Sequence, residues 1–147
     1  MKLSNSLKDD INNNSIRTNL TLFAVSLFNG TVPTLPSDVV TGSLLCKFTV
    51  NGDGVTGGTW GTSSAGVIAR AVAEAMIGTC IVAGSPTFYR IHKLSESPST
   101  ANTTYLRIQG TCGIASADAI LDSTFFPMTL AQDYPLGNVV FVCPTGV

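Results

Sequence analysis

Short runs of β-forming residues, each closed by a cluster of Gly, Pro, Ser or Asn, recur along most of the chain. Runs of this kind lie at 20–28, 43–50, 79–84, 87–94, 104–113, 118–126 and 138–144. About seven short strands separated by turns are typical of antiparallel sandwiches and jelly rolls, whereas βαβ units would place helices between the strands. The pattern therefore predicts an all-β fold: an antiparallel β-sandwich or jelly-roll-like architecture over residues 20–147.

The N-terminal segment has a different periodicity. Leu3, Leu7 and Ile11 recur every four residues, and Ser4 is suited to cap a helix. The three asparagines at 12–14 are poor helix formers. We therefore expect one short N-terminal α-helix over residues 2–14, inside an arm of residues 1–19 that docks on the sandwich, with the 147 residues forming a single domain.

The segment 65–78 fits two structures. Its Ala, Glu and Met residues favour a helix, with Val67, Ala71, Ala75 and Gly78 along one face. The alternation in Gly-Val-Ile-Ala-Arg-Ala-Val equally fits a strand. Both structures remain open at this point.

Charge is sparse in this chain. Charged residues make up 12 % of the sequence and hydrophobic residues 44 %, and mean hydropathy is +0.33. The eight Lys and Arg are scattered, so there is no basic stripe for nucleic acid, and no apolar run is long enough to cross a membrane. The start lacks the apolar core of a signal peptide. A surface of Ser, Thr, Asn and Gly is easily buried against neighbours, which favours a homo-oligomeric subunit over a free neutral domain.

The single histidine, His92, is the first residue to weigh for catalysis. It lies in Gly-Ser-Pro-Thr-Phe-Tyr-Arg-Ile-His-Lys-Leu, where alternation places it on one strand face with Arg90. Glu96 and Asp118 are the acids nearest in sequence, and neither stands at a recognisable spacing for a general-base arrangement. We therefore expect a strand histidine at a solvated or interfacial position and predict no catalytic residue.

Motifs for cofactors and metals are incomplete. The run from Gly52 to Gly57 matches G-x-G-x-x-G but is not followed by a helix, which a dinucleotide site requires. The run from Asp10 resembles a calcium loop, but Ser15 replaces its glycine and Thr21 its closing glutamate. We predict no cofactor and no metal.

Four cysteines occur in or beside predicted strands, and none forms a C-x-x-C pair. They are Cys46, Cys80, Cys112 and Cys143. The spacing argues against zinc, and buried free thiols are the expected state, although an even number also permits one or two disulfides.

Aromatic and sulfur-containing side chains in loops are the candidates for contact with neighbours. They are Trp60, Phe125, Phe126 and Met128, to which the helix residues Leu3 and Leu7 are added. Such residues either plug the ends of a core or serve as anchors at an interface, because they supply large contact area at low entropic cost. The sequence leaves both roles open, and we predict these six as interface residues.

Short motifs follow one another in a definite order over most of the chain. They are Gly30-Thr31-Val32-Pro33, Gly42-Ser43-Leu44-Leu45, Phe88-Tyr89-Arg90-Ile91, Gly110-Thr111-Cys112-Gly113, Ala117-Asp118-Ala119-Ile120-Leu121 and Phe141-Val142-Cys143-Pro144. With the N-terminal helix and a glycine-rich stretch, this order resembles a family of small virion proteins of tailed bacteriophages. Cysteines stand where that family has Ala or Val, and Phe-Tyr-Arg-Ile replaces Trp-Phe-Arg-Ile.

The resemblance implies a structural virion part present in many copies. It would be made in the host cytoplasm and would bind the major capsid protein or neck and tail proteins, as capsid decoration or as a neck, collar or tail component. The resemblance carries over no catalytic residue. Two other function classes stay in view: a receptor- or carbohydrate-binding module of a phage fibre, with Trp60 and Tyr105 stacking on sugars, and a hydrolase using His92.

Overall fold

The computed structural model describes residues 4–71 and 73–142, and it is mostly β. The strands are β1 Phe23–Phe28, β2 Leu44–Val50, β3 Val67–Ala69, β4 Met76–Thr79, β5 Phe88–Lys93, β6 Ile108–Gly113, β7 Ala119–Ile120, β8 Asp133–Leu136 and β9 Val140–Val142. A short 3₁₀ helix spans Ser123–Phe125. The predicted all-β class with a short N-terminal helix is confirmed. Among the described residues, no helix is long and apolar enough to span a membrane.

Seven strands form one curled sheet in the order β7-β6-β5-β1-β2-β4-β8, and β3 and β9 form a second sheet of two strands. All pairings are antiparallel except β6 with β7. The all-β fold is thus built from one large curled sheet and a small two-stranded one. Strand β1 lies at the centre of the large sheet, and all six of its residues are buried.

The described residues of the ambiguous segment 65–78, which are 65–71 and 73–78, form two strands, β3 and β4, and no helix. Ala65 and Gly66 have φ values of +53° and +81°, which a right-handed helix does not tolerate. The two strands then pair with partners remote in sequence, β3 with β9 and β4 with β2 and β8. Tertiary pairing has overridden the helix propensity of the Ala, Glu and Met residues.

The N-terminal helix extends further than residues 2–14. It consists of α1 Asn5–Ile11, a π-helical turn Asn12–Ile16 and α2 Arg17–Asn19. The predicted cap is confirmed, since the Leu7 amide donates to Ser4 Oγ at 3.2 Å. The prediction was wrong about the C-terminal end of the helix, and its first residues, 2 and 3, lie outside the described part.

Hydrogen bonds to the turn at 63–66 explain why the asparagines stay helical. The buried Asn12 amide donates to Ser63 Oγ at 3.0 Å and to the Gly66 carbonyl at 2.9 Å. The Asp9 carboxylate accepts from Gly66 N at 2.7 Å and from Ser63 Oγ at 2.8 Å. These bonds lower the pKa of Asp9 and dock the helix on the domain.

The glycine run 52–57 is a turn followed by a close approach of two backbones. Gly52 and Gly54 have φ values of +71° and +76°, and the Asp53 carboxylate accepts from the amides of the residues after Gly54. A Cβ at Gly57 would lie 2.4 Å from the Leu22 carbonyl carbon. The G-x-G-x-x-G match is therefore accounted for by chain geometry.

Candidate functional site

One face of the sheet carries buried polar side chains beneath two loops, the β1–β2 loop (29–43) and the β5–β6 loop (94–107). Arg90 is the largest fully buried side chain of the described residues. Its Nε donates to Gln109 Oε1 at 2.8 Å, Nη1 to the Pro98 carbonyl at 2.9 Å and Nη2 to the Asp38 carbonyl at 2.8 Å. Gln109 in turn donates to the Pro33 carbonyl at 2.8 Å. The arginine thus fastens both loops to the hairpin of β5 and β6, and its own pKa is lowered by burial.

Arg107, just before β6, fastens the second of these loops. It forms an ion pair with Glu96 in which both side chains are almost wholly buried. It also donates to the Ser97 carbonyl at 2.9 Å and to the Thr100 carbonyl at 2.8 Å. Both arginines of this face are therefore engaged with the protein itself, which is the arrangement of a structural cluster rather than of a site that awaits an anion.

His92 lies on the same face and is fully buried, so the expectation of a solvated or interfacial histidine was wrong. Its Nδ1 lies 2.9 Å from the Lys93 carbonyl, which can only accept, so Nδ1 carries the proton. The other nitrogen, Nε2, accepts from the Ser26 hydroxyl at 2.9 Å. A serine hydrogen-bonded to a neutral imidazole has the arrangement of a nucleophile and its general base. Both residues are 0 % exposed, so a substrate has no access to this pair in the folded chain.

Burial of His92 predicts a pH dependence of stability. Desolvation lowers the pKa of His92 from 6.5 to about 4. The unfolded chain therefore binds a proton that the folded chain does not, so the free energy of unfolding falls as the pH drops from about 6.5 to about 4, by on the order of 3 kcal/mol. Chemical denaturation at successive pH values measures this slope.

The variant His92→Gln serves as the control, because it should flatten the slope between pH 6.5 and 4. The carboxylates of Asp9, Asp53, Asp118 and Asp122 do not interfere: their pKa values are lowered below 3.8, so their contribution is lost only at still lower pH. An equal slope in the wild type and the variant would contradict the buried neutral imidazole.

Three of the six predicted interface residues lie in the core. Trp60, Phe125 and Met128 are 5 %, 4 % and 1 % exposed, so they plug the core and do not serve as surface anchors. Trp60 stacks on Phe23 with ring centroids 4.4 Å apart. Phe125 lies 5.0 Å from the ring of Tyr134 and 6.2 Å from that of Phe48, and so joins β8 to β2.

The remaining interface candidates differ in how far their side chains are exposed. Phe126 is half-buried against the core, whereas Leu7 is 45 % exposed and available for contact. Leu3 lies outside the described residues. Of the five described candidates, only Leu7 is placed on the surface.

The described cysteines are free thiols. Cys46 and Cys80 are buried and face each other across an isolated β-bridge, and Cys112 is half-buried. Burial raises the pKa of Cys46 and of Cys112 to about 12. These thiols behave as small apolar side chains, as expected. Cys143 lies outside the described residues.

An apolar surface that sequence reasoning missed lies on the small sheet. Val67, Val140 and Val142 are 36 %, 48 % and 58 % exposed, and Val67 pairs directly with Val142 across the two strands. Neither strand carries a charged residue. The outer edge of β9 has no strand partner among the described residues. These three valines are called the β9 surface below. In the sequence, the Val-Val-Phe-Val run at 139–142 was the feature that could have indicated this surface.

A cleft of about 390 Å³ adjoins the β9 surface at Val140. It separates the two edge strands of the curled sheet, β7 and β8, and its floor is the apolar face of β1 and β5. Asp118 and Asp122 lie on its wall, and backbone hydrogen bonds from Thr111 and Thr124 lower their pKa values. The two carboxylates serve to fix local turns, and the cleft extends the apolar area beside β9.

Within the described ranges, no group of three or more His, Cys, Asp and Glu side chains is arranged to hold a metal ion. No family model, curated protein or solved structure matches the chain.

Proposed function

We propose that this chain is a non-enzymatic structural protein of a tailed-bacteriophage virion, present in many copies as capsid decoration or as a neck, collar or tail subunit. Its partners would be copies of itself and the major capsid protein or neck and tail proteins. The resemblance in the order of turn motifs supports this proposal, as does the low proportion of charged residues.

The observation that carries the assembly part of the proposal is the β9 surface. Exposed valines on an uncharged strand with an unpaired edge are what soluble monomers avoid, because such an edge offers hydrogen bonds and apolar contact to another chain. Natural edge strands that stay monomeric carry Lys, Pro or a bulge. Strand β9 has none of these in its described residues.

A second copy is the occupant that fits this edge most simply. Two β9 strands related by a twofold axis would pair antiparallel and join the small sheets of both copies into one of four strands. The contact needs no charge to be desolvated, since Val140, Phe141 and Val142 are all apolar. Because Trp60, Phe125 and Met128 are buried, assembly through these three is not part of the proposal.

Protein analysis of purified particles tests the virion role. In phage particles from a host that expresses this chain from the phage genome, we expect mass spectrometry to find it in tens of copies per particle, at a fixed ratio to the major capsid protein. A non-structural protein of the same phage should be removed by the purification and serves as the control. Presence in infected cells together with absence from washed particles would overturn the proposal.

A further inference from the structure

A polar cleft with one exposed aromatic ring lies on the opposite side of β5 from the buried arginine cluster. Its volume is about 470 Å³, and it lies between the end of α2, the end of β5 and the loop before β6. Its lining includes Tyr105, Lys93, Thr18, Asn19, Thr103 and Thr104. Nothing in the proposed virion role uses this cleft.

The exposed ring of Tyr105 offers a platform for a flat ligand. Tyr105 is 47 % exposed, whereas the other two tyrosines of the chain, Tyr89 and Tyr134, are mostly or wholly buried. A tyrosine presents an apolar ring face and a polar hydroxyl together. A pyranose ring, with C–H groups on one face and hydroxyls at its rim, matches both features.

Hydrogen-bonding groups around the ring are free to take a ligand. Within residues 4–71 and 73–142, the side-chain hydroxyls of Thr103, Thr104 and Tyr105 make no hydrogen bond. The Asn19 amide nitrogen already donates to the Ser15 carbonyl at 2.9 Å, which leaves its oxygen as an acceptor. The cleft therefore supplies both donors and acceptors to a polyhydroxylated ligand.

Charge narrows the ligand class. Lys93 is the one charged residue of the lining, and its Nζ lies 6.0 Å from the centroid of the Tyr105 ring. An anion bound beside the ring would meet this ammonium, and no carboxylate of the lining would repel it. We propose that this cleft binds an acidic saccharide, with Tyr105 stacking on a sugar ring and Lys93 pairing with a carboxylate substituent.

A single-stranded nucleic acid could also stack on Tyr105, but the cleft suits it less. Such ligands are followed along their backbone by a groove of several cations. Lys93 is the single cation of this lining. The experiment therefore includes an oligonucleotide, so that nucleic-acid binding can be distinguished from saccharide binding.

Saturation-transfer NMR on the full chain tests the proposal. The probes are sialyllactose, a galacturonate trimer, neutral lactose and a short oligothymidylate. We expect saturation of ring protons in the two acidic saccharides, and at least severalfold weaker binding of lactose. Tyr105→Ala should weaken binding of the acidic saccharides about tenfold or more, whereas Tyr105→Phe should keep most of it. Lys93→Gln should reduce the acidic saccharides to the level of lactose.

Unchanged thermal unfolding of the three variants is the folding control, since Tyr105 is 47 % exposed and its hydroxyl makes no hydrogen bond within the described residues. Four results would overturn the proposal: no saturation of either acidic probe, equal binding of lactose, unaltered binding in Tyr105→Ala, or preferential binding of the oligothymidylate. None of these bears on whether the chain occurs in virions, so the two proposals fail independently.

Discussion

Replacing Arg90 with alanine is expected to lower the free energy of unfolding by about 3–5 kcal/mol. The substitution removes a fully buried guanidinium and leaves three acceptors, on Gln109, Pro98 and Asp38, without their donor. The Pro98 acceptor is buried and the other two are partly buried. A buried acceptor left unpaired costs about 1–3 kcal/mol, and the cavity adds to the loss. Urea denaturation followed by circular dichroism measures the change.

Two further variants test whether the loss of stability in Arg90→Ala comes from the hydrogen bonds of its guanidinium. Arg90→Lys keeps the charge but cannot reach three acceptors in different directions, so it should recover only a small part of the loss. Arg17→Ala removes an exposed arginine and should change stability by less than about 0.5 kcal/mol. If Arg90→Ala were as mild as Arg17→Ala, Arg90 would not be what fastens the two loops.

The second large loss of stability is expected when Trp60 is replaced. We expect Trp60→Ala to destabilise the isolated chain by about 3–5 kcal/mol, because it empties a core position stacked on Phe23. An anchor that contacts only a partner would show no such loss in the isolated chain. Thermal and chemical denaturation of the variant distinguish a core residue from an interface residue.

The matched variant Trp60→Phe keeps an aromatic ring at the position that stacks on Phe23. Trp60 Nε1 is buried and has no hydrogen-bond partner within the described ranges, so exchange for phenylalanine removes an unsatisfied donor as well as some volume. It should therefore cost much less than Trp60→Ala. Equal losses in the two variants would mean that an aromatic ring at this position does not stabilise the fold, which would contradict the stack on Phe23.

The strands nearest the centre of the sheet could be predicted from runs of β-forming residues that end at turn residues. Strands β1, β2 and β5 lie within three residues of the predicted bounds, because β-forming runs and turn residues are local signals. Strand β8 was missed because Asp133 and Pro135 read as a turn. At the edge of the sheet, a proline without an amide hydrogen is tolerated.

Alternation along the strands could not predict which face of the sheet is covered by loops. Arg90 and His92 share a face with Gln109, a pattern that normally marks the solvent side of a sheet. The loops that cover this face bond to it through backbone carbonyls such as those of Asp38 and Pro98. Backbone carbonyls carry no residue-specific signal, so the sequence predicted a solvated or interfacial position for His92, which is buried.

The same limit applies to the interface candidates. Trp60 lies in a glycine-rich stretch that was predicted to be a loop, and the sequence left a core role and an interface role open for it. In the structure, Gly57 lets the backbone approach Leu22, and the chain then places Trp60 on Phe23. Val140 and Val142 of the β9 surface were predicted to lie in a strand, and Val67 lay in the segment left open between helix and strand. The open edge follows only from the sheet order of the described residues.

Sedimentation velocity of the full chain over a wide range of concentration tests the central claim, that an uncharged surface at β9 assembles this protein. Val142→Lys places a charge on the exposed edge strand, and Val55→Lys places the same charge on a loop valine that is 79 % exposed. Both variants should unfold at the wild-type temperature, because both side chains lie largely outside the core.

We expect the wild type and Val55→Lys to associate as concentration rises, and Val142→Lys to remain a monomer throughout. A wild-type chain that stays monomeric at every concentration, or a Val142→Lys variant that associates as the wild type does, would contradict the claim.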